Sequence, residues 1–418
     1  MSQELLYVLW YHRCFGKTQK GRKALSHYGG YKELYEAVYN GSEETGLLKN
    51  TSADKFRSFS IVDAEKVLWT CEDNGWQAIS CTSPLYPARL LEISDYPHVI
   101  FADGDVSCLA NPVAFAIVGS REATEKAEVI AGNAAYNLSK TGAVIVSGAA
   151  FGIDSAAHRG AINAGGKTIG VLGCGLGDSY MDRIGSFYDE IKNNGVYITE
   201  LFPFESVTRG SFPDRNRIIS GLSRAVLVAC AAEGSGSLNT AAHAKKQQRR
   251  IYVPAPEICY SAGCEQLLEE GAYIFYNAGD IAYPFRECYS EGTFNDNYCN
   301  KPVSVARGAL KYDDMALPKK NKKKRVAPVT KETKLPADNF LQETKIRDKK
   351  EEKQTDAPYP ALNGTAKEVY ELLADGALGT DDIVKMLGTD IVSVQLALFE
   401  LEAEQLVRTI PGGLLQRI

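Results

Sequence analysis

The spacing of apolar residues changes twice along the chain. Between Pro112 and Val253, short apolar runs alternate with stretches of helical period. Phe115–Val118, Ala143–Ser147, Lys167–Leu172, Val196–Glu200, Ala225–Cys230 and Ile251–Val253 read as strands, because apolar runs of this length bounded by glycine suit a sheet covered on both faces. Helices are expected after the first strand through Leu138, around His158, and from about Leu238 to Gln247. The alternation predicts an α/β fold with a doubly wound, mostly parallel sheet, whose ligand crevice lies outside the carboxyl ends of the strands. Ahead of it, Glu4–Cys14, Arg22–His27 and Tyr31–Tyr39 space apolar and aromatic residues at helical period, broken at Phe15-Gly16 and Gly29-Gly30, and predict a small helical module. Order fades after roughly residue 285 and returns at Asn363. Ala366–Ala374, Thr380–Leu387 and Ile391–Glu404 then predict three helices. Leu406–Thr409 and Leu414–Arg417, joined across Pro411-Gly-Gly413, predict a hairpin. Together these describe a winged helix-turn-helix with Ile391–Glu404 in the recognition-helix place.

The 418 residues therefore divide into an expected helical domain (1–80), a sheet domain (81–290), a linker (291–360) and a winged-helix domain (361–418). Residues 311–357 carry 14 Lys/Arg against 9 Asp/Glu and few large apolar side chains, the composition of a disordered basic linker. With a net charge of −5 overall, the rest of the chain is about 10 units negative. A polyanion would have to be held by a local basic groove and not by a global field. Glu400, Glu402 and Glu404, with no Lys or Arg in Ile391–Glu404, favour protein contact over duplex DNA at that helix. None of the ten cysteines stands in a C-x-x-C, so neither a zinc site nor a redox pair is signalled and no metal is expected. No run approaches membrane length and the start of the chain lacks a secretory layout, so a cytoplasmic protein without a membrane partner is expected.

The most suggestive chemistry lies in Arg209-Gly-Ser-Phe-Pro-Asp-Arg-Asn-Arg-Ile-Ile219, read as a polar loop within the apolar pattern. Arg209, Arg215 and Arg217 offer planar charged forks and Phe212 a stacking face, with no nucleophile and partner base among them. Such a set suits an anionic, ring-bearing ligand, of which single-stranded nucleic acid is one; arginines paired with nearby carboxylates would make it an ordinary surface loop. Gly119-Ser120-Arg121, Gly148 with Gly152, Gly173 with Gly175, and Gly234-Ser-Gly-Ser237 each follow a strand and would converge on one rim, where helix N-termini offer N–H donors. There is no good G-x-G-x-x-G and no G-x-x-x-x-G-K-[ST], so neither an NAD nor an ATP cofactor is expected. His158 reads as a structural histidine and Asp154 as a helix N-cap.

Ile117-Val-Gly-Ser-Arg121, Ser147-Gly-Ala-Ala-Phe-Gly-Ile-Asp-Ser-Ala-Ala-His158, Thr168-Ile-Gly-Val-Leu-Gly-Cys-Gly175, Phe212-Pro-Asp-Arg-Asn-Arg-Ile218 and Ser235-Gly-Ser-Leu-Asn-Thr240, in this order, resemble the DNA-processing protein A (DprA/Smf) family from about Cys81 to Ala272. The resemblance implies an extended Rossmann-like fold that binds single-stranded DNA, forms homodimers, and protects incoming DNA while loading RecA-type recombinase in natural transformation, without catalysis. It implies that the Ser120-Arg121 turn and the Arg209/Phe212 loop grip phosphate and stack a base, in agreement with the reading of those side chains. The expected DNA-binding set is thus Gly119, Ser120, Arg121, Arg209, Phe212, Arg215, Asn216 and Arg217, with the N–H groups of Gly119 and Ser120 cradling a phosphate and Lys245 extending the track. The chain departs from the family pattern at Tyr180-Met181-Asp-Arg-Ile184, Cys230 and Pro254-Ala255. The rival enzyme reading is a Rossmann-type nucleoside-monophosphate phosphoribohydrolase, for which Gly234–Thr240 lacks the following glutamate. Release of free base would favour that rival.

Overall fold

The computed structural model describes residues 3–39, 56, 58–301 apart from 186, and, with gaps, 365–417. By internal contacts the chain forms two units, 1–324 and 325–418. The expected linker falls outside the described residues from position 302 onward.

The first unit is built on nine strands: β1 Gln77–Ser80, β2 Val99–Gly104, β3 Ala114–Gly119, β4 Val144–Ser147, β5 Thr168–Val171, β6 Gly195–Thr199, β7 Ala225–Cys230, β8 Arg250–Pro254 and β9 Tyr273–Phe275. Their order is β1-β2-β6-β5-β4-β3-β7-β8-β9. From β6 to β9 every pairing is parallel, as the alternation of strand and helix predicts. Two antiparallel strands, β2 on β6 and β1 on β2, widen the sheet; β1 lies within residues 1–80, where helices are expected, and β2 where the apolar pattern predicts no element. Along β3 the side chains alternate: Ala114, Ala116 and Val118 join a core with Ile218, Leu222, Val226 and Ala241, while Phe115 and Ile117 join another with Ile130, Ala134 and Ala157. Helices Ser211–Leu222 and Gly236–Lys246 thus cover one face, and Glu125–Lys140 and Ile153–Asn163 the other. The latter two approach so closely that Gly160 lies on the carbonyl of Gly132, where any larger residue would clash.

The chain lays β4, β5 and β6 outward on one side of β3, then returns to place β7, β8 and β9 on the other. That reversal between β3 and β7 is the topological switch point, the place where open α/β sheets bind ligands.

One correction concerns Arg209–Ile219. This segment is not a polar loop: Ser211–Leu222 is a helix of 12 residues. Pro213 is tolerated because the first turn has no use for its missing N–H. The usual apolar stripe is hidden because the buried face carries Arg215, Asn216 and Arg217 beside Ile218, Ile219 and Leu222.

The N-terminal helices Gln3–Phe15, Gln19–Tyr28 and Tyr31–Tyr39 form as the apolar spacing predicts, and Ile61–Asp73 follows. Gly29 ends the second of these in the left-handed conformation, φ 79°, its N–H closing on the carbonyl of Leu25. Trp10, Tyr11, Phe15, Leu34 and Phe56 bury one another. Leu6, Val8 and Leu9 instead share a core with Phe101, Leu172, Tyr197 and Phe202 of the sheet.

In the second unit, helices Thr365–Leu372 and Thr380–Leu387 accompany a small sheet of β10 Leu378–Gly379, β12 Leu414–Arg417 and β11 Val407–Ile410, in that order. Ala366, Val369, Ile383, Val394, Leu401 and Leu415 form its core. Most of the expected recognition helix and the turn at 411–413 lie outside the described residues.

Candidate nucleic-acid interface

The carboxyl ends of β3 and β7 open into a cleft of about 510 Å³. Its lining includes Gly119, Ser120 and Arg121 after β3, Gly234–Ser237 after β7, and Phe212, Arg215 and Asn216 from helix Ser211–Leu222. Distant motifs in the sequence are therefore brought together at the switch point.

Phe212 is the centre of the arrangement. Its ring lies on the backbone of Gly173, where a Cβ would come within 2.8 Å of the ring. Arg121 stands 5.1 Å and Arg215 5.9 Å from the ring centroid, and the Tyr180 ring tilts against it at 5.3 Å. Arg121 is exposed, whereas Arg215 is buried and donates through Nη1 to the carbonyl of Gly148 at 2.6 Å and to that of Val171. Arg215 thus ties the ends of β4 and β5 together beneath the ring. Burial pushes its pKa down, with Asp154 opposing that shift, and the same burial pushes the Asp154 carboxyl up against the pull of Arg215. Asp154 is not the N-cap expected from sequence; Gly152 holds that place at φ 75°, and Asp154 sits in the first turn. Asn216 donates to the carbonyl of Gly236 at 3.2 Å and to Asn239 at 3.3 Å, fixing the turn after β7.

Helices Ile153–Asn163, Ser211–Leu222 and Gly236–Lys246 all begin at this rim without a side-chain cap, under Gly152, Gly210 and Ser235. Among the described residues lining the cleft, Gly236 and Ser237 lie in the first turn of their helix, where N–H groups have no intrahelical acceptor. The expectation that the Ser120 N–H cradles phosphate is corrected: it donates to the carbonyl of Cys230 at 2.9 Å. Gly119 is needed for space, since a Cβ would come 2.5 Å from Ile153 and 2.8 Å from the Cys230 carbonyl.

Three expected contacts lie elsewhere. Arg217 is 1% exposed and grips Glu200 with both arms, each at 2.7 Å, while its Nε donates to the Asp95 carbonyl at 3.1 Å. Burial opposes its charge, but Glu200 and Asp95 raise its pKa. Such a guanidinium has no fork left for phosphate. Arg209 is exposed on the segment before the helix, outside the cleft lining. Lys245 occupies the last turn of Gly236–Lys246, paired with Glu270 at 3.3 Å, about 14 Å along the helix from its start. Conversely, Asp154, Asn239 and Thr240 line the cleft without having been singled out as contacts. The glycine turn preceding Asn239 was the available signal. His158 is structural, as expected: it is wholly buried and its Nδ1 donates to Thr168 at 2.6 Å.

A larger cavity, about 750 Å³, lies among the N-terminal helices and Tyr96–His98. Its lining balances Arg22 and Lys32 against Glu4 and Glu33, which gives it no preference for anions.

A doubly wound sheet with an aromatic and cationic cleft at its switch point defines a Rossmann-type protein, with the cleft where such folds bind ligands. The family model for DNA recombination-mediator protein A matches residues 77–286, and that for the DprA winged helix domain matches 353–413. The chain belongs to the DNA recombination-mediator protein A family. It is 35% identical to the DNA processing protein DprA of Bacillus subtilis over 218 residues, 52% of this chain and 73% of that one. It is 36% identical to that of Streptococcus pneumoniae over 239 residues, 57% of this chain and 83% of that one. The X-ray structure of DNA processing protein A from Streptococcus pneumoniae superposes with a TM-score of 0.56 at 29% identity, covering 68% of this chain and 98% of that one.

Proposed function

We propose that this protein binds single-stranded DNA in the switch-point cleft and carries out no chemistry on it. One observation supports this above the rest: the Phe212 ring rests on glycine with the guanidinium groups of Arg121 and Arg215 beside it. A base stacked there places its phosphates near Arg121 and the uncapped start of helix Gly236–Lys246. The hydrolase alternative calls for a glutamate after the Gly234–Thr240 turn, and Ala241, Ala242 and His243 stand there instead. By the same family reading, the protein acts in the cytoplasm as a homodimer that protects incoming DNA and loads a RecA-type recombinase. The division into 1–80, 81–290, 291–360 and 361–418 belongs to this proposal. No helix among the described residues is long and apolar enough to cross a membrane.

Fluorescence anisotropy with single- and double-stranded oligonucleotides across a salt series tests the site. Phe212→Ala is expected to weaken single-strand binding by about 1–3 kcal/mol whatever the sequence. Arg121→Ala is expected to lower the salt slope by about 0.7. Unchanged affinity and slope in both variants would remove the cleft from consideration.

A further inference from the structure

We infer that Phe204, leaning on Trp76, is a second base-stacking platform that carries unpaired nucleic acid beyond the cleft toward the N-terminal helices. The inference rests on the reading of the cleft as a single-strand site. Phe204 follows β6 and therefore stands on the same carboxyl-end rim as Phe212. It is 55% exposed and adopts φ 61°, a left-handed conformation costly for a bulky side chain. Strain of this kind persists where surrounding structure imposes it, and it gathers at functional sites.

The imposing structure is the turn after β5. Gly175 donates to the carbonyl of Glu205 at 2.7 Å and Phe204 to that of Leu176 at 2.8 Å, which fastens the two loops together. The Phe204 ring then lies on Gly177 as the Phe212 ring lies on Gly173, and Trp76 approaches the same glycine, its ring 5.6 Å from that of Phe204. Two aromatic platforms are thus mounted on one glycine turn, four residues apart and so separated by at most about 14 Å along the backbone. Cations border the path between them: Arg209 is exposed on the connecting segment, Arg13 pairs with Glu205 at 2.8 Å, and Lys17 pairs with Asp214 at 2.5 Å. A half-buried ring at Phe212 and an exposed one at Phe204, with cations beside them, suit a strand of unpaired bases, because every base has a face to stack and every linkage carries a charge.

The test measures anisotropy on homothymidine oligonucleotides from about 4 to about 16 nucleotides, using the full chain. Phe204→Ala should leave affinity for the shortest bound oligonucleotide unchanged and weaken the longer ones about fivefold or more, while Phe204→Trp retains it. Phe204→Gly removes the ring and relaxes the backbone, so equal or higher thermal stability with the same length-dependent loss separates binding from folding. Wild-type affinity of the Phe204 variants at every length, with Phe212→Ala still defective, would overturn the second platform and leave the cleft standing. Equal loss at all lengths, the shortest included, would also overturn it. No change in either Phe204→Ala or Phe212→Ala would sink both.

Discussion

Arg215 and Arg217 are two positions apart in one helix and point in directions roughly 160° apart. Nothing in Arg-Asn-Arg itself distinguishes them. Their fates are set by groups far away in the chain: Gly148 and Val171 receive Arg215 beneath the cleft, while Glu200 and Asp95 receive Arg217 behind it. The sequence could offer arginines as candidates, but it could not say which had already been claimed. Arg217→Ala should therefore cost about 3–5 kcal/mol of stability in denaturant melts, because it strands Glu200 in a half-dry site, while the folded fraction keeps its affinity for DNA. Arg121→Ala should do the reverse, with an unchanged melt and weaker binding. A structural role for Arg121 or a ligand role for Arg217 would exchange these outcomes.

At the level of elements, the buried parallel strands from β3 to β8 were legible because continuous apolar runs leave a clear trace, whereas β2, buried along Val99–Asp103, was not. Helix Ser211–Leu222 was not, because its buried side trades apolar contacts for polar ones. Strand β9 escaped because three residues are too few to set a period. Histidines add a second lesson. His158 joins helix Ile153–Asn163 to β5, and burial, helped by Arg215, drives its pKa down to about 3. His98, packed under the N-terminal helices and bonded to Tyr31 at 2.7 Å, is driven to about 3 by burial and Arg22. Below about pH 6.5 the unfolded chain protonates these rings and the folded chain does not. Stability should hence fall as pH drops from about 6.5 toward 3 and gain nothing from these groups above that window. Melting temperatures measured from neutral to mildly acid pH should show it, and His158→Asn, which keeps a donor for Thr168, should flatten the decline. An unaltered slope would mean that this ring titrates in the fold as it does in the unfolded chain.

For the molecule as a whole, the cleft is complete within the first unit, since every residue of its lining belongs to 118–240. A chain ending at Lys301 is expected to keep a cooperative melt and a Phe212-dependent affinity for single strands. If Phe212→Ala made no difference in that shortened chain, the second unit would have to share the grip. The sequence made this arrangement partly readable, because glycine turns after strands betray where backbone meets ligand. The order of strands that gathers them had to be seen in three dimensions. That order also sets a schedule for synthesis on the ribosome. Phe212 needs Gly173 beneath it, Arg121 needs β3 seated against β7, and the start of helix Gly236–Lys246 is translated last of the three. Polypeptides halted by an early stop codon before that helix would lack its N–H groups at the cleft and should hold DNA more weakly than the finished chain, so the full capacity arrives late in translation.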